Sequence, residues 1–174
     1  LQLMGSGRSR TLLDAGCGGG VFLPELSRRC EELIAFDMHD HLTRVRAMMR
    51  KEGIQGKLCR NSITHLPFAG NFFDRIVCVS VLEFVDDLPA AVAELHRCVK
   101  RGGSVLLGIP VVNPISKLGY RLARTPLPED VHRWDWKQII GCVSERFRLE
   151  GTRRFPRVCS PRYSLFMACR FVKA

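Results

Sequence analysis

Several features that would assign the chain to a special class are missing from its sequence. No apolar run approaches the ~20 residues that cross a bilayer, and no charged segment leads into an apolar one at the N-terminus. The eight cysteines include no CxxC pair and no metal-ligand spacing. These absences predict a protein without a membrane span, signal peptide or metal site, with reduced thiols in the cytoplasm.

Two further absences concern nucleotides and nucleic acids. No Gly-Lys-Ser or Gly-Lys-Thr follows the glycine-rich stretch, which excludes a P-loop. The net charge of +10 comes mostly from arginines distributed along the chain, without a run of five like charges. A nucleic-acid partner therefore stays open, although a solvated basic surface is favoured.

The composition is that of one ordinary globular domain. The chain has 174 residues, of which 46% are apolar and 25% are charged. This length supports one hydrophobic core but hardly two, so a single domain over residues 1–174 is predicted.

The most informative segment is the glycine-rich stretch near the N-terminus. A short apolar run ends at Asp14, and four of the five residues in Gly16–Gly20 are glycine. Glycine allows the backbone to approach a ligand and to adopt positive φ. A dinucleotide-binding turn would have its third glycine at Val21, so an NAD-dependent oxidoreductase is disfavoured. A purely structural turn stays open.

Strand-like and helix-like patterns alternate along the chain. The predicted strands are Arg10–Asp14, Glu32–Asp37, Lys57–Asn61, Phe73–Ser80, Ser104–Ile109, Phe147–Arg154 and Arg162–Val172. The predicted helices are Val21–Arg29, one through Leu42–Met49, one from Asp87 to Val99, and one from about Trp134 to Glu145. The expected fold class is α/β: a doubly wound, Rossmann-like and mostly parallel seven-stranded sheet with a C-terminal antiparallel hairpin.

Polar or glycine-rich residues follow each of the first four strands. They are Gly16–Gly20, Asp37, Asn61-Ser62-Ile63 and Ser80. Ligands of doubly wound sheets bind at the carboxyl ends of the strands. The sequence therefore predicts one binding site formed by all four segments.

At this point the chain resembles the class I S-adenosylmethionine-dependent methyltransferases, in particular the type 11, ubiquinone-biosynthesis-like branch that acts on small molecules. The resemblance runs from Thr11 to Pro110. The motifs that carry it are Leu13–Gly20, Asp37, Leu66-Pro67-Phe68 with Phe72-Phe73-Asp74, Ser80–Val85, and Val99–Gly103.

The resemblance implies roles for the residues around the first two strands. Gly16, Cys17 and Gly18 would bring main chain against the methionine and ribose of the cofactor. Asp14 would orient this loop and reach towards the cofactor's ammonium group. Asp37 would accept both ribose hydroxyls.

The adenine side is implied in the same way. Met38 would lie along the adenine face, with plain core packing as the alternative, and the backbone of Ile63 would serve a ring nitrogen. Ser62 stands where most relatives have an aspartate, so the exocyclic amine would lack a charged acceptor. Ser80 would line the methionine end.

The implied activity is methyl transfer to oxygen, carbon or nitrogen of a small acceptor, which is expected to be lipophilic or aromatic. A catalytically weak binding module and an RNA methyltransferase stay as alternatives. Residues 110–136 are the expected acceptor lid, because the periodicity fades there. The candidate bases are His132, Glu83 (otherwise a solvated carboxylate at a helix start) and His65, and no catalytic residue is assigned.

Overall fold

One seven-stranded sheet forms the centre of the computed structural model, which describes residues 2–5, 7–114, 116–117, 131–156 and 164–174. The strands are β1 (Ser9–Ala15), β2 (Cys30–Asp37), β3 (Lys57–Arg60), β4 (Phe73–Val79), β5 (Val99–Pro110), β6 (Arg148–Phe155) and β7 (Phe166–Val172). The helices are α1 (Leu23–Ser27), α2 (Leu42–Lys51), α3 (Leu88–Cys98) and α4 (Trp136–Ser144). Short 3₁₀ turns cover Gln2–Met4 and Leu82–Phe84.

The strand order is β3-β2-β1-β4-β5-β7-β6, and the first five strands are mutually parallel. The order reverses between β1 and β4, which places the topological switch point beside the glycine-rich turn. β7 runs antiparallel between β5 and β6. The predicted fold class, including the C-terminal antiparallel pair, is confirmed.

Apolar residues cover both faces of the sheet, as the near-continuous hydrophobicity of β1 and β4 predicts. One layer packs under α3 and α4 and includes Phe73, Leu95, Ile139 and Phe171. The other packs under α1 and α2 and includes Leu12, Leu26, Val45 and Met49. The sheet is therefore a fixed platform whose carboxyl edge carries the loops.

Two predicted boundaries are wrong. Residues 21 and 22 form a turn, so the first helix is limited to Leu23–Ser27, which has proline in its first turn. The strand predicted to begin at Ser104 begins at Val99 instead, so Gly102 and Gly103 lie within β5 and not between it and α3. A Cβ at Gly103 would lie 2.9 Å from the Asp74 carbonyl oxygen, so strand packing requires this glycine.

The spacing of Asp135 and Gln138 in the sequence predicts a capping box, and α4 begins at this position. The Asp135 side chain accepts the backbone N–H groups of Lys137 and Gln138, and the Gln138 side chain accepts the N–H of Asp135.

The expected lid lies mostly outside the described residues, as does most of a short helix that the sequence pattern predicts at 115–122. In the part of the chain that is described, no helix has the length and hydropathy to cross a membrane.

Candidate functional site

A cavity of about 830 Å³ opens at the carboxyl ends of the parallel strands. Eight of the nine predicted binding residues line it: Gly16, Cys17, Gly18, Asp37, Met38, Ser62, Ile63 and Ser80. The ninth, Asp14, lies behind the glycine-rich turn and is 1% exposed. The fold thus brings segments from the ends of four strands to one place.

The glycine-rich turn is tied to the end of β2. The backbone N–H groups of Gly16 and Cys17 both donate to the carbonyl of Phe36 at 2.9 Å. Gly16 has a φ of +79°, and a Cβ there would lie 2.3 Å from Cγ2 of Val81. Only glycine fits this position, because both the conformation and the available space exclude a side chain.

Asp37 holds the same turn from the opposite side. Its Oδ2 accepts the Gly18 N–H at 2.7 Å, and its Oδ1 accepts the N–H groups of Met38 at 2.7 Å and His39 at 3.2 Å. A carboxylate has about four acceptor positions, so three are in use and roughly one stays open towards the cavity. Accepting two ligand hydroxyls would therefore require one of these backbone bonds to lengthen.

His39 completes the attachment of the turn, and sequence reasoning missed it. Its Nε2 lies 2.8 Å from the Gly18 carbonyl, and its Nδ1 accepts the His41 N–H at 3.0 Å. Because Nδ1 is an acceptor here, the tautomer that carries hydrogen on Nε2 fits both contacts. Gly18 is consequently bonded through its N–H to Asp37, the last residue of β2, and through its carbonyl to His39, two residues further on.

We expect His39→Ala to weaken ligand binding in this cavity several-fold, because the Gly18 carbonyl loses its donor and the turn gains freedom. His41→Ala is the matched control, since it keeps the backbone N–H that Nδ1 of His39 accepts and loses only a ring contact, with the two centroids 5.8 Å apart. Isothermal titration of both variants measures the difference. Equal affinities would show that His39 does not position the turn.

Asp14 is a buried carboxylate without a full set of partners. Its Oδ2 is inaccessible and has no hydrogen-bond partner among the described residues. Burial, with a smaller contribution from the charge of Asp37, raises the pKa of Asp14 to about 7. A nearby cation would favour the ionised form, so the site suits a positively charged ligand group.

The interpretation of Glu83 as a solvated carboxylate at a helix start is wrong. Glu83 lies in the 3₁₀ turn after β4, is 1% exposed, and has no partner for either carboxylate oxygen within the described segments. Its backbone carbonyl accepts the N–H of Arg133 at 2.8 Å. Burial raises the pKa of Glu83 to about 7. The side chain is therefore part of the interior beside the cavity wall.

The adenine-side segment is ordered by its own polar groups and by a clamp from α3. The Ser62 hydroxyl lies 2.8 Å from that of Thr64. Arg97 donates to the carbonyls of Leu66 and Phe68, and Glu94 accepts the Leu66 N–H. Arg97 and Glu94 also pair at 2.7 Å. The clamp explains why this loop keeps its shape without regular secondary structure.

Met38 and Ser80 are both exposed and do not pack in the core. Met38 is 62% exposed and lines the cavity, which excludes the alternative of a core side chain. Ser80 has a φ of +55°, a strained conformation for a serine that re-aims the chain directly after β4.

Neither candidate histidine lines the cavity. The His132 ring stands edge-on against Phe84, with the ring centroids 4.9 Å apart, and Phe84 forms part of the wall. His65 is exposed and pairs through its backbone with Ser62. His132 therefore contacts the wall from behind.

Sequence reasoning also missed much of the apolar wall. The missed lining residues include Val21, Phe22, Phe36, Val79, Val81, Phe84 and Val85. Val81, Phe84 and Val85 sit within the motif that follows β4, so their proximity to Ser80 was the available signal.

Comparison with known proteins identifies relatives of this arrangement. Residues 13–107 match the family described as methyltransferase domain. A ubiquinone biosynthesis O-methyltransferase from Alkalilimnicola ehrlichii is 32% identical over 146 residues, which cover 80% of this chain and 58% of that protein. A malonyl-[acyl-carrier protein] O-methyltransferase from Hamiltonella defensa is 24% identical, with coverages of 92% and 61%. The chain thus spans about three fifths of the length of these curated relatives.

Solved structures share the fold at low sequence identity. The N-methyltransferase NodS from Bradyrhizobium japonicum WM9, in complex with S-adenosyl-L-homocysteine, superposes with a TM-score of 0.75 and 18% identity, covering 98% of this chain and 81% of that one. A SAM-dependent methyltransferase from Aquifex aeolicus gives a TM-score of 0.79 at 15% identity, with coverages of 99% and 87%.

Proposed function

The chain belongs to the methyltransferase-domain family, and we propose that it transfers a methyl group from S-adenosylmethionine to an oxygen of a small acceptor. The observation that carries this proposal is the joining of the glycine-rich turn to Asp37. The carboxylate at the end of β2 bonds the Gly18 N–H while its side chain still faces the cavity.

The residues present fit this cofactor. Asp37 offers its remaining acceptor position to the ribose, and Gly16–Gly18 let the main chain lie against the methionine portion. Asp14 lies behind the turn with its Oδ2 inaccessible, so an ammonium group bound in the cavity would favour the ionised carboxylate across the turn rather than by direct contact. With the cofactor bound, Met38 would lie along the adenine face, the Ile63 backbone would meet the ring edge, and Ser80 would line the methionine end.

The bound cofactor would supply an already activated methyl group on its sulfonium. The protein's contribution is then to align the acceptor with the sulfur–methyl bond, which contributes up to ~7–11 kcal/mol in favourable cases. The apolar wall formed by Val81, Phe84 and Val85 would exclude water from this position once an acceptor covers it.

The relatives favour oxygen among the acceptor atoms. Both curated relatives are named as O-methyltransferases, one in ubiquinone biosynthesis and one acting on malonyl-[acyl-carrier protein]. Phe84 is 49% exposed at the rim, where an aromatic or lipophilic acceptor would cover it. A ring-bearing phenol therefore fits the site better than a small charged acid.

The test is a transfer assay with S-adenosylmethionine labelled on the methyl group. Acceptors are a prenylated catechol, an unprenylated catechol and a malonyl thioester. We expect labelled methyl ether from the catechols, with the prenylated one preferred. Transfer only to the thioester would replace the proposed acceptor class, and no transfer to any acceptor by folded protein that binds the cofactor would favour a binding module.

A further inference from the structure

A second hollow lies at the opposite edge of the sheet, and five of the eleven residues that line it are arginines. It has a volume of about 480 Å³ and sits at the amino ends of β1, β4 and β5. We call it the basic hollow, and its cationic residues are Arg8, Arg10, Arg75, Lys100, Arg101 and Arg170. Nothing in the proposed methyl transfer uses these residues.

Acidic side chains neutralise only part of this charge. Asp74 is the one acidic residue among those that line the hollow, and it pairs with Lys100. Glu150 lies 3.6 Å from Arg170 but is shared with Arg148. In the described part of the chain, the remaining four guanidinium groups have no acidic partner within ion-pair distance.

The hollow also contains guanidinium nitrogens that are buried without a hydrogen-bond partner. They are Nη1 of Arg75 and Nε of Arg170, as far as the described residues show. Burial, together with the positive charges of Arg170 and Arg29, lowers the pKa of Arg75. Both nitrogens are inaccessible, and Nε of Arg170 lies 3.6 Å from Glu150, so an anion in the hollow would act on them through its charge by offsetting the repulsion between the guanidinium groups.

We propose that the basic hollow binds a compact phosphate-bearing anion. Guanidinium groups bond phosphate oxygens in pairs, and several that line one open hollow can bond more than one phosphoryl group. The hollow's volume suits a small molecule, since an extended nucleic-acid strand needs a longer track.

The basic hollow and the methyltransferase cavity are separate. β1 and β4 each contain seven residues, which separates their two ends by roughly 20 Å at ~3.3 Å per residue. An anion in the hollow therefore does not contact the cofactor cavity. Failure of anion binding and failure of methyl transfer would be separate results.

The test is titration of the full chain with inorganic pyrophosphate and with a sugar bisphosphate at 150 mM salt. We expect saturable binding of one molecule per chain, and the tighter of the two ligands distinguishes a free polyphosphate from a phosphorylated metabolite. Arg75→Gln and Arg101→Gln should each weaken binding roughly 10-fold or more. Arg101 is exposed, so its variant tests the site even if Arg75→Gln unfolds.

Arg153→Gln is the matched control, because Arg153 is an exposed arginine on β6 outside the hollow. It should bind pyrophosphate as the wild type does. Absence of saturable binding, or an equal loss in Arg153→Gln, would overturn the proposal. So would tighter binding of a ten-nucleotide single-stranded RNA than of both phosphates, which would indicate a nucleic-acid surface.

Discussion

Gly16→Ala is expected to abolish measurable binding of S-adenosylhomocysteine and to lower the free energy of unfolding. The new Cβ would lie 2.3 Å from Cγ2 of Val81, and the residue would keep a φ of +79°. Positive φ costs an L-residue about 1–2 kcal/mol, and overpacking adds about 1–3 kcal/mol. Val81 is β-branched and lines the cavity, so moving it away from the Cβ changes the shape of the binding site.

Gly19→Ala is the matched control within the same turn. A Cβ at Gly19 has no neighbouring atom within 4 Å, and its φ is not positive. We expect this variant to unfold at the wild-type denaturant concentration and to keep measurable S-adenosylhomocysteine binding, with some loss of affinity because Gly19 lines the cavity. Urea unfolding and calorimetric titration of both variants measure stability and affinity. Equal stability and equal affinity of Gly16→Ala and Gly19→Ala would contradict the requirement for glycine at position 16.

The free energy of unfolding is expected to fall as the pH rises from 5 to 8, because two buried carboxyl groups must ionise. The pKa of Asp14 and that of Glu83 are both raised to about 7 in the folded chain, against ordinary values of 3.8 and 4.5. Each shift of some three pKa units corresponds to about 3–4 kcal/mol. The contribution that each protonated carboxyl group makes to the free energy of unfolding is complete below the pKa of that group in the unfolded chain. It is lost progressively as the pH rises to about 7, the pKa of the group in the folded chain.

Other groups also titrate in this range. Burial lowers the pKa of His96, so the folded chain favours the neutral imidazole. This acts in the opposite direction, because the free energy of unfolding then falls as the pH falls and His96 becomes protonated. The difference in the free energy of unfolding between wild type and Glu83→Gln reports on Glu83 alone, since every other titratable group is common to both proteins.

The Glu83→Gln variant should be more stable than wild type by about 3 kcal/mol at pH 8 and nearly equal to it at pH 5. Glu31→Gln, which removes an exposed carboxylate from β2, is the control for the loss of one negative charge. Denaturant unfolding at several pH values measures both. A Glu83→Gln difference that is constant with pH would show that Glu83 stays ionised in the folded chain.

Local sequence signals predicted the features that depend on a few adjacent residues. The glycine-rich turn after Asp14, the carboxylate at Asp37 and the capping box at Asp135 each depend on short-range spacing, and each lies where that spacing indicated. Because the carboxyl ends of parallel strands lie at one edge of the sheet, the sequence also predicted that Ser62 and Ser80 lie at the same edge, without knowledge of side-chain contacts.

Features that depend on tertiary packing could not be predicted in this way. The burial of Glu83 follows from the segment at Arg133, which is 50 positions away and bonds its carbonyl. The bond from His39 to Gly18 requires the actual register of β1 and β2. The basic hollow likewise gathers arginines from β1, β4, β5 and β7, whose proximity exists only in the folded sheet.

The most direct test of the account is calorimetric titration of the chain with S-adenosylhomocysteine and NAD in parallel, using wild type, Asp37→Asn and Asp40→Asn. Asp40 is an exposed carboxylate that pairs with Arg60 at 2.8 Å and serves as the control. The account predicts one S-adenosylhomocysteine per wild-type chain, no NAD binding, a loss of roughly 30-fold or more in Asp37→Asn, and wild-type affinity in Asp40→Asn. Binding of NAD alone, or unchanged S-adenosylhomocysteine affinity in Asp37→Asn, would contradict it.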